Sequence, residues 1–191
     1  MIMAFSNNLT VIDAGILELV LLELIPSGVV RFIEIGMNSG ETARGIKEYV
    51  EERGATLKYC GIDSGLLGKP QSPFMGALVL EGDSAEVSPS APDEVDAVFV
   101  DGCHSFNHVI LDTFHYAPRV RAGGFLIYHD TAPHIQQTMR EATGPDHPLF
   151  YNSVNAALLA LRLREDNRWR LFTEGFDAES KIGGMTVFQK L

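Results

Sequence analysis

The feature that most constrains the fold is a regular alternation of short apolar runs with helical patterns. Five of the runs are nearly continuous in apolar residues, which is typical of parallel strands buried on both faces of a sheet. They span residues 30–35, 57–62, 77–81, 97–101 and 125–128. Apolar residues at helical spacing lie between several of these runs, and the connections are short. The alternation predicts a doubly wound, mostly parallel α/β sheet with helices on both faces.

The two ends of the chain depart from this alternation. Residues 169–173 and 185–189 are strand-like and have no helical pattern between them, so we expect an antiparallel hairpin on the sheet edge. Residues 11–25 form an apolar helix pattern that Thr10 and Asp13 begin with a capping box. At 191 residues and 46% apolar composition, the chain fits one domain, 1–191, on which an N-terminal helical segment, 1–27, packs. The apolar helix could also supply a homodimer contact.

Charge and cysteine usage limit the partners. The net charge of −10 argues against nucleic acid, because binding phosphates requires clustered Lys and Arg, so we expect a small-molecule substrate. Residues 11–25 are too short and too charged to span a bilayer, and no basic residue precedes them. Cys60 and Cys103 lie in segments predicted to be buried, which favours reduced thiols and a cytoplasmic protein without membrane attachment.

The first strand leads into a loop with two glycines, from Glu34 to Glu41. Gly36 and Gly40 would let the backbone approach a ligand, and the following helix offers free N–H groups to an anion. The loop does not match the dinucleotide pattern G-x-G-x-x-G, because Asn38 and Glu41 occupy the second and third glycine positions. Asn38 can still adopt a left-handed conformation. An ordinary strand-turn-helix connection is the alternative interpretation.

Acidic residues follow the next two strands. Asp63 lies 23 positions after Gly40, where an acid can accept hydrogen bonds from both hydroxyls of a ribose. The alternative is a surface aspartate that opens a turn. Asp83 and Ser84 follow the third strand, where the carboxylate could accept from an adenine amino group, although Asp-Ser is also a common turn or helix cap.

Taken together, these segments and two later ones resemble the successive motifs of class I S-adenosylmethionine-dependent methyltransferases. The segments are VRFIEIGMNSG (30–40), GID (61–63), GDS (82–84), VDAVFVDGCH (95–104) and GGFLIYHD (123–130). The last two resemble the branch that contains catechol, caffeoyl-CoA and macrolide-sugar O-methyltransferases. The resemblance implies a seven-stranded sheet with a reversed final strand. It also implies that S-adenosylmethionine is bound by Glu34, Gly36, Asn38, Gly40, Asp63, Asp83, Ser84 and Asp101.

The resemblance further implies a divalent cation. In many members of this branch the ion is held by an acid at the position of Asp101 and by the pair after the next strand, here His129 and Asp130. Two carboxylates suit Mg2+, which would lower the pKa of a substrate hydroxyl. Imidazole instead suits Mn2+, Fe2+ or Zn2+. His129 could also be a general base, or could point away because adjacent strand residues face opposite sides.

Histidines concentrate in the second half of the chain. His104 precedes the helix cap Ser105 and could take a proton from a substrate hydroxyl, so His104, Asp101 and His129 are the candidate catalytic residues. His134 lies in the long loop 131–151 and is a third candidate base. A solvated helix face explains His108 and His115 equally well.

The main hypothesis is methyl transfer from S-adenosylmethionine to an oxygen of a small molecule by in-line displacement. Two alternatives remain open. The chain could be a noncatalytic S-adenosylmethionine or nucleotide sensor, or a hydroxylase on the same fold that holds iron near His129 and Asp130.

Overall fold

The architecture is described from a computed structural model for residues 9–65, 70–132, 154–178 and 183–191. These residues contain seven strands: β1 (Val29–Ile35), β2 (Thr56–Asp63), β3 (Leu78–Glu81), β4 (Val95–Val100), β5 (Val120–His129), β6 (Trp169–Gly175) and β7 (Met185–Lys190). The helices among them are α1 (Val11–Leu24), α2 (Glu41–Glu52), α3 (Ser84–Val87), α4 (Phe106–Tyr116) and α5 (Val154–Leu161). His134, the third candidate base, lies outside the described residues.

The strands form one sheet in the order β3-β2-β1-β4-β5-β7-β6. The first five pair in parallel, and β7 is antiparallel to both β5 and β6. The doubly wound sheet and the C-terminal hairpin are therefore confirmed. The hairpin is inserted with β7 against β5, so that only β6 lies at the edge.

Helices cover both faces of this sheet. Adjacent residues of a strand point to opposite faces, so Phe32 packs with α1 and α2 whereas Ile33 packs with α4 and α5. β4 is buried at every position, as its continuous apolar run predicts. β5 begins at Val120, earlier than predicted, because a register shift between Val95 and Ala97 accommodates its first residues.

The N-terminal helix α1 packs against β5 and β6 on one face of the sheet. The predicted capping box is present: the Thr10 hydroxyl accepts from the Asp13 N–H, and the Asp13 carboxylate accepts from the Thr10 N–H. One stripe of the helix is buried, including Leu17 and Leu21, whereas Val11 and Leu19 are exposed. None of the described helices is long and apolar enough to cross a membrane.

The carboxyl ends of β1, β2, β4 and β5 meet at one edge of the sheet, because these strands are parallel. In open α/β sheets this edge is where ligands bind. Every acid that the sequence places at a strand tip therefore lies along one edge.

Candidate active site

A cleft lies at the carboxyl end of β1, beside the start of α2. We call it the β1 cleft; it is lined by Glu34, Gly36, Met37, Asn38, Ser39, Glu41, Thr42 and Asp101. Gly36 has a φ of +87°, and a Cβ at this position would lie 2.3 Å from the carbonyl oxygen of Asp101. Asn38 has a φ of 45°, so the left-handed turn forms without glycine. Close approach of the β1 and β4 tips thus depends on Gly36.

The start of α2 lies at this cleft and has no side-chain cap. Its N-cap is Gly40, which has no side chain to accept from the first-turn N–H groups. Glu41 and Thr42, the first two helical residues, line the cleft. Uncapped N–H groups together with the helix dipole suit a carboxylate or another anionic group.

Asp63 at the end of β2 holds the loop of the cleft in place. Its Oδ2 accepts a hydrogen bond of 2.8 Å from the Asn38 N–H, and its Oδ1 accepts one of 2.9 Å from the Gly65 N–H. Each carboxylate oxygen has a further lone pair that can accept from a hydroxyl group. Asp63 is therefore suited both to shape the loop and to bind a diol.

Glu34 lines the cleft, but its side chain is not exposed to solvent. Its side chain is buried, and its Oε2 accepts a hydrogen bond from the Tyr59 hydroxyl. Burial raises the pKa of Glu34 to about 8, although the hydrogen bond from Tyr59 acts in the opposite direction. Glu34 is therefore neutral in the folded protein near pH 7.

The predicted adenine-binding residues take part in a separate network beyond β3. Asp83 caps α3, and its Oδ1 accepts from the Ala85 N–H at 3.0 Å. The Ser84 hydroxyl donates to Oδ1 of the buried Asp112, whose pKa is raised to about 6 by burial. Neither Asp83 nor Ser84 lines the β1 cleft, so their adenine role stays a prediction.

A second group of side chains converges where β4 and β5 end. We call Asp101, His104 and Asp130 the cation site, because one ligand atom from each lies within 4.8 Å of the other two. His104 Nδ1 lies 3.2 Å from Asp130 Oδ2, and His104 Nε2 lies 3.6 Å from Asp101 Oδ1. Asp130 follows β5 in a left-handed conformation, and its Oδ1 accepts from the Gly183 N–H at 2.9 Å.

His129 lies behind the cation site. Its Nδ1 is 2.8 Å from Asp101 Oδ1, and its Nε2 is 3.4 Å from Oδ2 of the buried Asp13. Both ring nitrogens of His129 face carboxylates, and the group of potential ligand atoms contains His104 and not His129. The ligand set of Asp101, His129 and Asp130 stays a prediction, and His104 is an alternative third ligand.

The ionisable groups at this edge shift one another's pKa values. Burial alone would raise the pKa of Asp101, but the neighbouring His129 and His104 lower it to about 2. Burial would lower the pKa of His129, but Asp101, Asp13 and Asp130 raise it well above its ordinary value. The pKa of His104 is also raised, since Asp101 and Asp130 outweigh its burial.

One buried atom indicates that the cation site can accept an ion. His104 Nε2 is buried and has no hydrogen-bond partner within the described ranges. If Nδ1 carries the proton towards Asp130, the Nε2 lone pair lies near an oxygen of Asp101, and a proton or a cation between them relieves the repulsion. Two carboxylates and an imidazole fit a divalent ion, and the imidazole favours Mn2+, Fe2+ or Zn2+ over Mg2+.

Sequence reasoning missed several residues of this edge. Asp13 was identified only as a capping residue, and Gly183, Gly184 and Tyr59 were not singled out. The glycine pair carries a weak signal, because it directly precedes a strand. A charged residue on an otherwise apolar helix face is the corresponding signal for Asp13.

Comparison with known proteins adds a family match. The model of a family described as a methyltransferase domain matches residues 33–131, which include both the cleft and the cation site. No curated protein matches the chain in sequence.

Solved structures share the fold. An O-methyltransferase from Bacillus cereus in complex with S-adenosylhomocysteine (SAH) has a TM-score of 0.62 and 13% identity, covering 91% of this chain and 80% of that chain. TomG, an O-methyltransferase of tomaymycin synthesis from Streptomyces achromogenes in complex with S-adenosylmethionine, has a TM-score of 0.62 and 15% identity, covering 93% and 80%. MycE, a methyltransferase of the mycinamycin pathway in complex with Mg and SAH, has a TM-score of 0.55 and 16% identity, covering 84% and 45%.

Proposed function

Since this chain belongs to the methyltransferase-domain family, we propose that it transfers the methyl group of S-adenosylmethionine to a hydroxyl oxygen of a small molecule. The observation that carries the proposal is the position of the cleft, lined by Gly36 and Asp101, directly beside a cluster of two acids and a histidine. A cofactor pocket next to potential proton acceptors suits transfer to an oxygen nucleophile.

The residues of the cleft would hold the methyl donor in three ways. The uncapped first turn of α2 suits the carboxylate of its methionine part, and Asp63 suits the two ribose hydroxyls. Gly36 lets the tip of β4 approach β1, and Asp101, which lines the cleft, would face the sulfonium end. Asp83 and Ser84 remain the proposed adenine contacts, with Asp83 Oδ2 as the acceptor.

The chemical step needs a proton acceptor and alignment of the reactants. The methyl carbon leaves sulfur and bonds to the substrate oxygen, and the hydroxyl proton passes to the protein. With Nδ1 protonated and facing Asp130, the Nε2 lone pair of His104 is the acceptor that we propose. The negative Asp101 and Asp130 stabilise the positive charge that His104 then carries.

We also propose that the cation site holds a divalent ion during this reaction. Such an ion would lower the pKa of the substrate hydroxyl and orient its oxygen. Asp101, His104 and Asp130 would be its ligands. His104 would then act as a ligand rather than as the base, because Nε2 cannot accept a proton while it is bound to a metal. In that case the hydroxyl proton, made more acidic by the ion, would be released to solvent water. Mg2+ and Mn2+ are the ions to compare first.

Binding of the product SAH, measured by calorimetry, tests the proposal directly. Asp63→Ala should weaken SAH binding by roughly 100-fold, since it removes an ionised acceptor and the Asn38 contact. Asp93→Ala is the matched control, because Asp93 carries the same charge in an exposed position and pairs with Arg119. Absence of SAH binding by the unmodified protein, or equal binding by the Asp63 variant, would remove the proposal.

A metal-dependent hydroxylase is a second candidate, and the imidazole in the cation site is the observation that favours it. Iron is readily bound by mixed carboxylate and imidazole ligands. Metal analysis of protein purified without chelator separates the two candidates, because stoichiometric iron favours the hydroxylase.

For the cellular setting we propose a cytoplasmic protein that acts on a small molecule without nucleic acid or membrane partners. The acidic net charge and the two free cysteines, Cys60 and Cys103, support this assignment. A homodimer through the exposed side of α1, which includes Leu19 and Leu22, is proposed as well and is tested by sedimentation.

A further inference from the structure

The N-terminal helix contributes one fully buried charge to the active-site edge. Asp13 has no exposed surface, although α1 is otherwise buried through apolar residues. Its Oδ2 accepts from the Thr10 N–H at 3.0 Å and from the Thr10 hydroxyl at 2.7 Å, and its Oδ1 accepts from the Gly184 N–H at 3.0 Å. A charge at this depth is costly unless it is paired, so its remaining neighbour matters.

That neighbour is His129. Asp13 Oδ2 lies 3.4 Å from His129 Nε2, and the opposite ring nitrogen, Nδ1, lies 2.8 Å from Asp101 Oδ1. The side chain of His129 is almost completely buried and packs edge-on against the Phe99 ring. The three residues therefore form a chain of contacts, from Asp13 through His129 to Asp101, that begins on α1 and ends in the cation site.

A glycine pair connects this chain to the rest of the site. The Gly184 N–H donates to Asp13, and the Gly183 N–H donates to Asp130 at 2.9 Å. Gly183 has a φ of +94°, and a Cβ there would lie 2.4 Å from Asp13 Oδ2. Consecutive backbone N–H groups thus fix one acid inside the cation site and one acid behind it.

We propose that Asp13 is a positioning residue for the cation site: it holds the His129 ring, and His129 holds the Asp101 carboxylate in place to bind an ion. The inference rests on the cation site of the proposed function and extends it to a residue outside the matched family segment, 33–131. Metal-binding carboxylates generally depend on such outer partners, whose loss typically weakens metal binding by about 10- to 100-fold.

The test measures binding of Mn2+ alone to the full chain by electron paramagnetic resonance, without substrate. Asp13→Asn keeps the shape of the side chain and removes its charge, and we expect about 10- to 100-fold weaker Mn2+ binding. His129→Gln should produce a similar loss. The double variant should bind no more weakly than the weaker single variant, because Asp13 acts through His129.

The control is Asp96→Asn, which removes an equally buried carboxylate at the opposite end of β4. Asp96 Oδ2 accepts from the Arg31 N–H at 2.6 Å, far along the strand from the cation site. This variant should lower the melting temperature but leave Mn2+ affinity within about 2-fold, which separates positioning from general loss of stability. Wild-type Mn2+ affinity in Asp13→Asn, or additive losses in the double variant, would overturn the inference.

SAH binding is measured on the same samples and separates the two proposals. If the unmodified protein binds SAH but no Mn2+, the positioning inference fails and the methyltransferase proposal stands. If it binds Mn2+ with the expected coupling but no SAH, the proposed methyl transfer fails and the positioning role stands.

Discussion

The β1 cleft and the cation site lie at the same edge of the sheet but are built in different ways. The cleft is formed by consecutive residues of one loop, 36–40, and its shape depends on backbone conformation. The cation site is formed by side chains that follow β4 and β5, supported by Asp13 from α1 and Gly183 from the segment before β7. Under the proposed function, local backbone geometry would control binding of the methyl donor, whereas packing of distant segments would control the chemistry.

Gly36→Ala should have the largest effect, because it disrupts the backbone that forms the cleft. Gly36→Ala would place a Cβ 2.3 Å from the Asp101 carbonyl oxygen at a positive φ, so we expect several kcal/mol of destabilisation and loss of SAH binding. Gly28→Ala is the matched control, because Gly28 has a φ of +77° but no atom within 4 Å of the added Cβ. It should cost about 1 kcal/mol in thermal unfolding. Equal SAH binding by both variants would contradict the role of Gly36.

Next in size is a substitution that affects the chemistry but not the cleft. His104→Gln should lower methyl transfer to hydroxylated acceptors by about 100-fold or more while SAH affinity changes by less than about 3-fold. His115→Gln is the control, since His115 lies on α4 beside Ser88, outside the cation site. Unchanged turnover in the His104 variant would refute its catalytic role, and binding without turnover in every variant would favour a noncatalytic sensor.

The pH dependence of the unfolding free energy tests Glu34, which lines the cleft together with Asp101 of the cation site. Glu34 has a pKa of about 8 when folded and an ordinary value of 4.5, so the folded state holds one more proton between these values. Stability should therefore fall as pH rises from 5 to 8, by about 1 kcal/mol per pH unit from this group. Glu34→Gln should flatten that slope in chemical denaturation. A slope equal to that of the unmodified protein would show that Glu34 is ionised.

The smallest expected effect concerns the tip of β3. Ser84→Ala removes the hydroxyl that donates to the buried Asp112, which should cost about 1 kcal/mol of unfolding free energy. Since that hydroxyl is already used within the protein, SAH affinity should change by less than about 3-fold. A loss of tenfold or more in calorimetry would instead place Ser84 in the adenine site.

The same contrast explains what the sequence could predict. Continuous apolar runs identified five of the strands and strand-like segments identified β6 and β7, all to within a few residues except at the start of β5, where the register shift is invisible in composition. The left-handed Asn38 followed from its position in a tight loop. Asp101 and Asp130 were recognisable because each directly follows a strand.

The remaining residues of the site were not predictable, for a physical reason. His129 and Asp130 are adjacent in the sequence, and no local signal shows which of the two side chains faces the cation site and which faces the core. Asp13 satisfies a capping box by itself, which conceals its second contact with His129. Gly184 and Asp13 are 171 positions apart, and no spacing rule reaches that far.

The position of β7 also affects the order in which the parts of the site form during synthesis. This strand follows all the others along the chain but lies between β5 and β6, next to the chemistry. Because ribosomes release the chain from its N-terminus, the loop that would grip the methyl donor can form early. Asp13 and Asp130 lack the backbone hydrogen bonds from Gly184 and Gly183 until these glycines have been synthesised. Contacts between residues so far apart in the sequence form slowly. A nascent chain would therefore acquire its ligand pocket before its catalytic competence.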